Sequence, residues 1–314
     1  MAAEISASFI SPIAGVVFAL EAFLGHYALR AFAPIAIASV TANVLMRVHE
    51  FEFIALQIAE MGRGLILLDY PASAAIGLLA AGLSVVFMRL MLDGGKLADR
   101  LRIPGWLQPC AAGLIIGGVA CFLPEVLGLG DGVITSALSQ DPGVPVIGLG
   151  LMLALLFAKL LLTALCISWR VPGGVFGPAL FMGAMTGGAF AMATGQPDYQ
   201  ICVLVGMGAL ISSVVGAPMA TILIVFELTH NYEATTAVMV GVVVANAVVS
   251  KMFARSFFYR QVRDRGIDLN RGLESRMLDA KNLGEIMDKN SLFVRPETSG
   301  VKVRELLCAE RGRD

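Results

Sequence analysis

Apolar residues fall along this chain in long blocks with no alternation of apolar and polar positions. Ala28–Val48, Ala72–Leu92, Val146–Trp169 and Thr235–Phe253 are near-continuous apolar runs. Each is long enough for a helix to cross a hydrocarbon core of ~30 Å, which takes about 20 residues. Ile5–Phe23 is another such run, with one internal proline and Glu21 near its end. Trp106–Leu123 and Ala179–Thr194 are slightly shorter, and Ile201–Ser213 and Pro218–Leu228 are too short to cross alone. Ala55–Leu68 is interrupted by Glu60, Arg63 and two glycines, which predicts an interfacial or re-entrant piece. Between the blocks, Asp93–Arg102 is a polar loop with Arg89, Lys96, Arg100 and Arg102 in or beside it, and the positive-inside rule places it in the cytoplasm. Pro124–Pro145 is rich in Gly, Asp and Pro and predicts an irregular connection carrying a short helix. The pattern as a whole predicts an all-α polytopic membrane protein with several broken helices, multi-pass in a bacterial-type inner or plasma membrane and in contact with lipid.

Composition agrees. Residues are 57% hydrophobic and 15% charged, and mean hydropathy is +0.78, whereas soluble domains carry roughly 25% charged residues. A net charge of −1 gives no basic field for nucleic acid. Among the five cysteines no metal or disulfide spacing occurs, and Cys110, Cys121, Cys166 and Cys202 read as small buried hydrophobes. His26, His49 and His230 are scattered. No His/Asp/Glu or Ser/Lys constellation converges on any span, which argues against an intramembrane enzyme, and no cofactor is expected. The opening Met1-Ala2-Ala3-Glu4-Ile5 lacks the basic n-region of a signal peptide and is expected to run straight into a helix.

The densest helix-breaking stretch is Arg170-Val171-Pro172-Gly173-Gly174-Val175-Phe176-Gly177-Pro178. Glycine and proline at this density open the backbone. In lipid an open backbone survives only where it is buried in protein or lines a cavity. Pro178 suits the first turn of the next helix, whose free N–H groups then carry partial positive charge into the break. Such a turn is an anion site made of backbone; a Gly-rich kink without a ligand is the plainer alternative. Lys159, the one cation inside a span, either raises the potential near this break, snorkels, or pairs with Glu227.

Two stretches superimpose without a gap. Ala7–Glu21 laid over Ser213–Glu227 puts Pro12 on Pro218 and Glu21 on Glu227. Short broken helices in duplicate are the mark of inverted-repeat transporters. The two glutamates, near the far ends of their helices, have a structural reading too: each caps a neighbouring helix or pairs at an interface.

These residues carry a resemblance. Gly174-Val175-Phe176-Gly177-Pro178 resembles the GxFxP motif of the CLC family of chloride channels and proton-coupled chloride transporters. Ser11-Pro12-Ile13-Ala14-Gly15 with Phe18 and Glu21 is similar to a helix of that family's first inverted half, and Gly216-Ala217-Pro218, Glu227-Leu228-Thr229 and Asn231-Tyr232 to its counterpart. The resemblance implies a CLC-type inverted-repeat fold, chloride or a similar anion as the transported partner, and a homodimer meeting through Ala33–Val44, Pro218–Leu228 and Ala237–Val249. It places the anion on the backbone amides of Val175 and Phe176, with Gly174 and Gly177 shaping the turn. The family's tyrosine position falls on Phe258, which has no hydroxyl; Tyr259 beside it points about 100° away on a helix. The family's GSGIP and GREGP motifs are absent. Exchangers often carry a second glutamate after the one matching Glu21, and here that position is Ala22. This leans toward a passive channel or another proton route. A transport-inactive shortened homologue serving as a membrane scaffold or regulatory subunit is the alternative.

After Phe253 the chain turns polar. The expected organisation is a CLC-type membrane domain over 1–266, incomplete at its N-terminus, a charged linker over 267–281, and a partial α/β CBS domain over 282–314. The last rests on a strand candidate at Leu292–Val294, a helix over Val301–Leu307, and the resemblance.

Overall fold

Two prolines organise the membrane unit. In the computed structural model Pro12 and Pro218 each occupy the first position of a helix. Each is approached by the same backbone path. A left-handed residue comes first, Ile10 at φ 51° or Gly216 at φ 80°. An extended residue follows, Ser11 at φ −121°, ψ 80° or Ala217 at φ −128°, ψ 70°. A proline disfavours helical geometry in the residue before it, so the chain has to leave the preceding helix here. The long run Ile5–Phe23 is therefore two helices, α1 (Ala2–Phe9) and α2 (Pro12–Phe18), the second continuing as a wider π-helical turn over Ala19–Leu24.

Residues 1–24, 29–48, 69–100, 104–138, 147–253, 257–264 and 299–304 are described. Beyond α2 they form α3 (Leu29–Val48), α4 (Asp69–Arg100), α5 (Gln108–Ala120), a 3-10 turn (Pro124–Val126), α6 (Asp131–Leu138), α7 (Leu149–Ser168), α8 (Phe176–Thr194), α9 (Tyr199–Val215), α10 (Pro218–Thr229), α11 (Tyr232–Met252) and α12 (Phe257–Asp264). The chain divides into two units, Met1–Arg265 and Gly266–Asp314. In the second unit the described residues are helical over 300–304, and no strand occurs among the described residues. The strand candidate Leu292–Val294, the linker 267–281 and the piece Ala55–Leu68 lie outside them.

The triplet α1-α2-α3 repeats as α9-α10-α11. α3 packs on α1 and α2, as α11 packs on α9 and α10, and α2 lies directly on α10. α8, α9, α4 and α11 enclose the core, where Phe87, Phe181, Met182, Met185, Leu204 and Leu210 are fully buried. Glycines bring these backbones together. α8 carries Gly183 and Gly187 four residues apart, facing Gly206 of α9. A Cβ on Gly183 would lie 2.5 Å from the carbonyl oxygen of Gly206, and one on Gly187 would run into that of Cys202. Small residues at this spacing are how helices approach in lipid, where no hydrophobic effect drives them together. α4 and α11 cross in the same way at Gly77 and Gly241.

Among the described residues, five helices are long and apolar enough to span a membrane: Ala31–Val48, Tyr70–Gly95, Leu149–Ser168, Phe176–Thr194 and Tyr232–Met252. The polar loop expected from Asp93 is helix as far as Arg100. Gly94 and Gly95, which look like a break in the sequence, lie against α7: a Cβ on Gly94 would sit 2.7 Å from Cβ of Ser168. Cys110 and Cys121 are exposed on and beside α5, not buried as expected; Cys202 is buried.

Candidate anion site

α7 ends at Ser168, and the chain turns at Arg170, which adopts the left-handed conformation with φ 61°. This costs a residue with a Cβ about 1–2 kcal/mol. Residues 171–174 follow without regular structure, and α8 starts at Phe176. Among the described residues no side chain caps α8. Its first carbonyl-to-amide closure is from Ala179 N–H to Val175 O at 3.1 Å. The N–H groups of Val175, Phe176 and Gly177 find no acceptor among the described residues, and Pro178 has none to offer. Val175 is buried and Phe176 and Gly177 half-buried, while Gly173 and Gly174 are exposed. Unsatisfied amides at a helix N-terminus carry partial positive charge, so this turn attracts anions without a buried cation.

Aromatic rings from both halves of the fold meet at that turn. Phe176 packs on Phe9, the last residue of α1, with centroids 5.1 Å apart, and edge-on against Phe18, the last of α2, at 6.0 Å. Phe18 contacts Phe23 at 5.9 Å and Phe23 contacts Phe258 of α12 at 6.4 Å. Phe258 thus joins the site region through two intervening rings. Tyr259 is in α12, and its side chain lies outside the described ones. Ala22 sits beside Phe23 in the π turn. Nothing in the sequence marked Phe9 and Phe23 for this role; Phe9 lies inside the apolar run Ile5–Phe23 and Phe23 ends it.

The two glutamates do what their structural reading expected. Backbone N–H groups of Ile13 and Ala14 donate to Oε1 and Oε2 of Glu227 at 3.0 and 2.8 Å. Those of Met219 and Ala220 donate to the two oxygens of Glu21 at 3.1 and 2.9 Å. Each carboxylate closes the N-terminus of the other half's helix, so α2 and α10 run antiparallel. The starts of α2 and α10 are thus closed by carboxylate, while among the described residues nothing closes that of α8.

Lys159 neither snorkels nor pairs with Glu227. It is 4% exposed, and its ammonium donates to the carbonyls of Val126 and Gly128 at 2.7 and 2.6 Å, 5.2 Å from the Phe181 ring centroid. It ties the 3-10 turn to α7 and to the ring that fills the space above Gly130. Lys159→Met leaves both carbonyls without this donor and is expected to cost about 2 kcal/mol. Faster amide hydrogen exchange over residues 124–132, with α8 unchanged, is the expected signature.

Comparison with known proteins identifies the architecture. The profile of the voltage gated chloride channel family matches residues 1–250. The chain belongs to that family. As a CLC chain it is a member of a group of multi-pass channels and transporters, not of enzymes. It is 28% identical to the voltage-gated ClC-type chloride channel ClcB of Escherichia coli over 267 residues, 83% of this chain and 62% of the relative. It is 29% identical to a putative chloride channel protein ClcB-like of Ralstonia nicotianae, over 82% of this chain and 60% of the relative. It is 27% identical to the H(+)/Cl(-) exchange transporter ClcA of Yersinia pestis, over 74% and 50%. Among solved structures, a slow cyanobacterial Cl-/H+ antiporter superposes with TM-score 0.68 at 21% identity, covering 83% of this chain and 62% of that one. A CLC-type fluoride/proton antiporter follows at 0.67 and 22%, covering 80% and 60%. The CLC chain described here spans between half and about three fifths of the length of these relatives.

Proposed function

We propose that this chain carries the anion-holding part of a CLC-type chloride channel or H+/Cl- exchanger, and that the anion rests on the backbone amides of Val175 and Phe176. The observation that carries the reading is the open N-terminus of α8 in a unit where the starts of α2 and α10 are closed by glutamate. A halide there receives N–H donors and the positive end of a 19-residue helix. Phe9, Phe18 and Phe176 keep the surroundings apolar, which strengthens that attraction by lowering the local dielectric. Relatives named as a chloride channel and as an H(+)/Cl(-) exchange transporter both support anion transport. Between them, a passive channel is favoured. The carboxylate of Glu21 is already bonded to two amides, and Ala22 beside it has no group to carry a proton.

Geometry separates the two site glycines. A Cβ on Gly174 meets nothing within 4 Å, whereas one on Gly177 runs into the side chain of Leu129. Gly177→Val is therefore expected to displace the first turn of α8 and weaken chloride binding about tenfold, a loss of ~1.4 kcal/mol. Gly174→Ala and Phe176→Ala, which keep the amides in place, are expected to stay within about twofold. Isothermal titration of chloride into the purified chain reads this, and equal affinities in all variants would remove the site. Chloride binding without flux in liposomes would instead favour a transport-inactive scaffold.

We propose also a homodimer through α3, α10 and α11. Their outward faces carry Ile37, Val40, Val44, Met219, Phe226, Met239 and Val243, all exposed in the single chain. The polar tail over 282–314 is proposed as the start of a CBS unit, supported by Val303, Leu306 and Leu307 at helical spacing.

A further inference from the structure

We infer that Arg170 recruits anions electrostatically to the mouth of the break, setting the rate at which the site at Val175 and Phe176 fills; the inference rests on the anion-site reading above. Arg170 is exposed and, among the described residues, bonded to no carboxylate and to no other acceptor. Lys159, the other cation between residues 144 and 194, is buried and bound to two carbonyls, so its charge is turned away from solvent. Arg170 lies five residues before the amide of Val175, at most ~17 Å of extended chain.

Its position is held. The guanidinium leans over Gly105, in the connection between α4 and α5, where an added Cβ would lie 2.9 Å from a guanidinium nitrogen. Gly94 and Gly95 pack on Ser168, two residues before Arg170, so the end of α4 and this connection flank the end of α7. Arg170 therefore stands exposed beside the α4–α5 connection, directly before the open backbone 171–174. The residue also keeps a left-handed backbone at φ 61° that glycine would adopt without strain. An arginine tolerated in a glycine conformation, unpaired, at the entrance to a backbone anion site, has a use in its charge. A fixed positive charge at a mouth with low-dielectric walls raises the local anion concentration and the on-rate, by ~10-fold or more at low salt.

The test compares chloride efflux from liposomes reconstituted with the full chain carrying wild-type Arg170, R170Q, R170K or R170G. Rates are read with a chloride electrode at about 10 mM and about 1 M ionic strength, where the Debye length is ~30 Å and ~3 Å. At low ionic strength R170Q is expected to be about tenfold slower than wild type, and at high ionic strength within about twofold. R170K, which keeps the charge, stays near wild type. R170G loses the charge and relieves the backbone, so it is as slow as R170Q while its melting temperature does not fall; this separates lost charge from lost fold. Equal rates for wild type and R170Q at low ionic strength, a deficit independent of salt, or an R170K variant as slow as R170Q each overturns the inference and leaves the anion site standing. A wild-type chain that passes no anion overturns the transport reading, and this inference with it.

Discussion

Replacing Gly206 by valine is expected to disrupt the packing of the membrane unit severely. A Cβ at that position would run into the carbonyl oxygen of Gly183 and lie 2.8 Å from the amide nitrogen of Gly187. These contacts and a third, with Cα of Gly187 at 3.0 Å, are all backbone, so no side chain can rotate away. The helices must separate, and α8 carries the open N-terminus while α9 leads through Gly216 into α10. Forced overpacking costs about 1–3 kcal/mol where side chains yield, and a backbone-to-backbone clash is expected to exceed ~4 kcal/mol, at the far end of single-mutation effects. The expected result is a chain that aggregates on detergent extraction at temperatures the wild type survives. Gly206→Ala should behave similarly, because the first carbon is the one that clashes. Gly113→Ala on α5, where a Cβ meets nothing within 4 Å, should be silent. A stable Gly206→Val protein with normal melting would show that α8 and α9 do not cross as described.

The second large effect is expected at the paired glutamates. Removing the Glu227 side chain leaves the amides of Ile13 and Ala14 without acceptors at the start of α2; removing that of Glu21 does the same to Met219 and Ala220. A hydrogen bond to a charged group contributes about 1.5–3 kcal/mol, and water is not at hand to replace it in a half-buried site. Glu227→Ala and Glu21→Ala are each expected to cost about 3 kcal/mol. Glutamine is not a safe substitute: one carboxylate oxygen becomes an NH2 donor facing an amide donor, so Glu227→Gln should recover less than half of the loss. The double variant should fall short of the sum, since both caps hold one helix pair. Thermal melting of the four proteins reads all of this, and a Glu227→Gln variant as stable as wild type would show that the amides are satisfied elsewhere.

Much of this was legible in the residues because proline leaves the chain few choices. Pro12, Pro218 and their distance to Glu21 and Glu227 announced a duplicated element, and the structure shows the duplication in the backbone path before each proline. The Gly-rich break at 173–177 was legible for the same reason. What the sequence concealed depended on partners distant along the chain. Gly94 and Gly95 look like a loop but serve a close approach to Ser168. Lys159 looks like a free cation but finds two carbonyls in a turn more than 30 residues earlier. Phe9 and Phe23 resemble ordinary apolar residues until three separate segments bring them into one row with Phe18, Phe176 and Phe258. Arg170 carries no signal at all, since a left-handed arginine cannot be told from a helical one by its identity.

The crossed glutamate caps also bear on how the protein is made. Ile13 and Glu227 are separated by 214 residues, and Glu21 and Met219 by 198. At a synthesis rate of about 5–20 residues per second, α2 leaves the ribosome roughly 10–40 s before the carboxylate that completes it exists. Throughout that interval its leading amides need water or the translocon wall, so α2 cannot settle into the bilayer on its own. The early half of the polypeptide has to be kept waiting for the late half, and a nascent chain stalled before Glu227 should remain accessible to quality-control proteases.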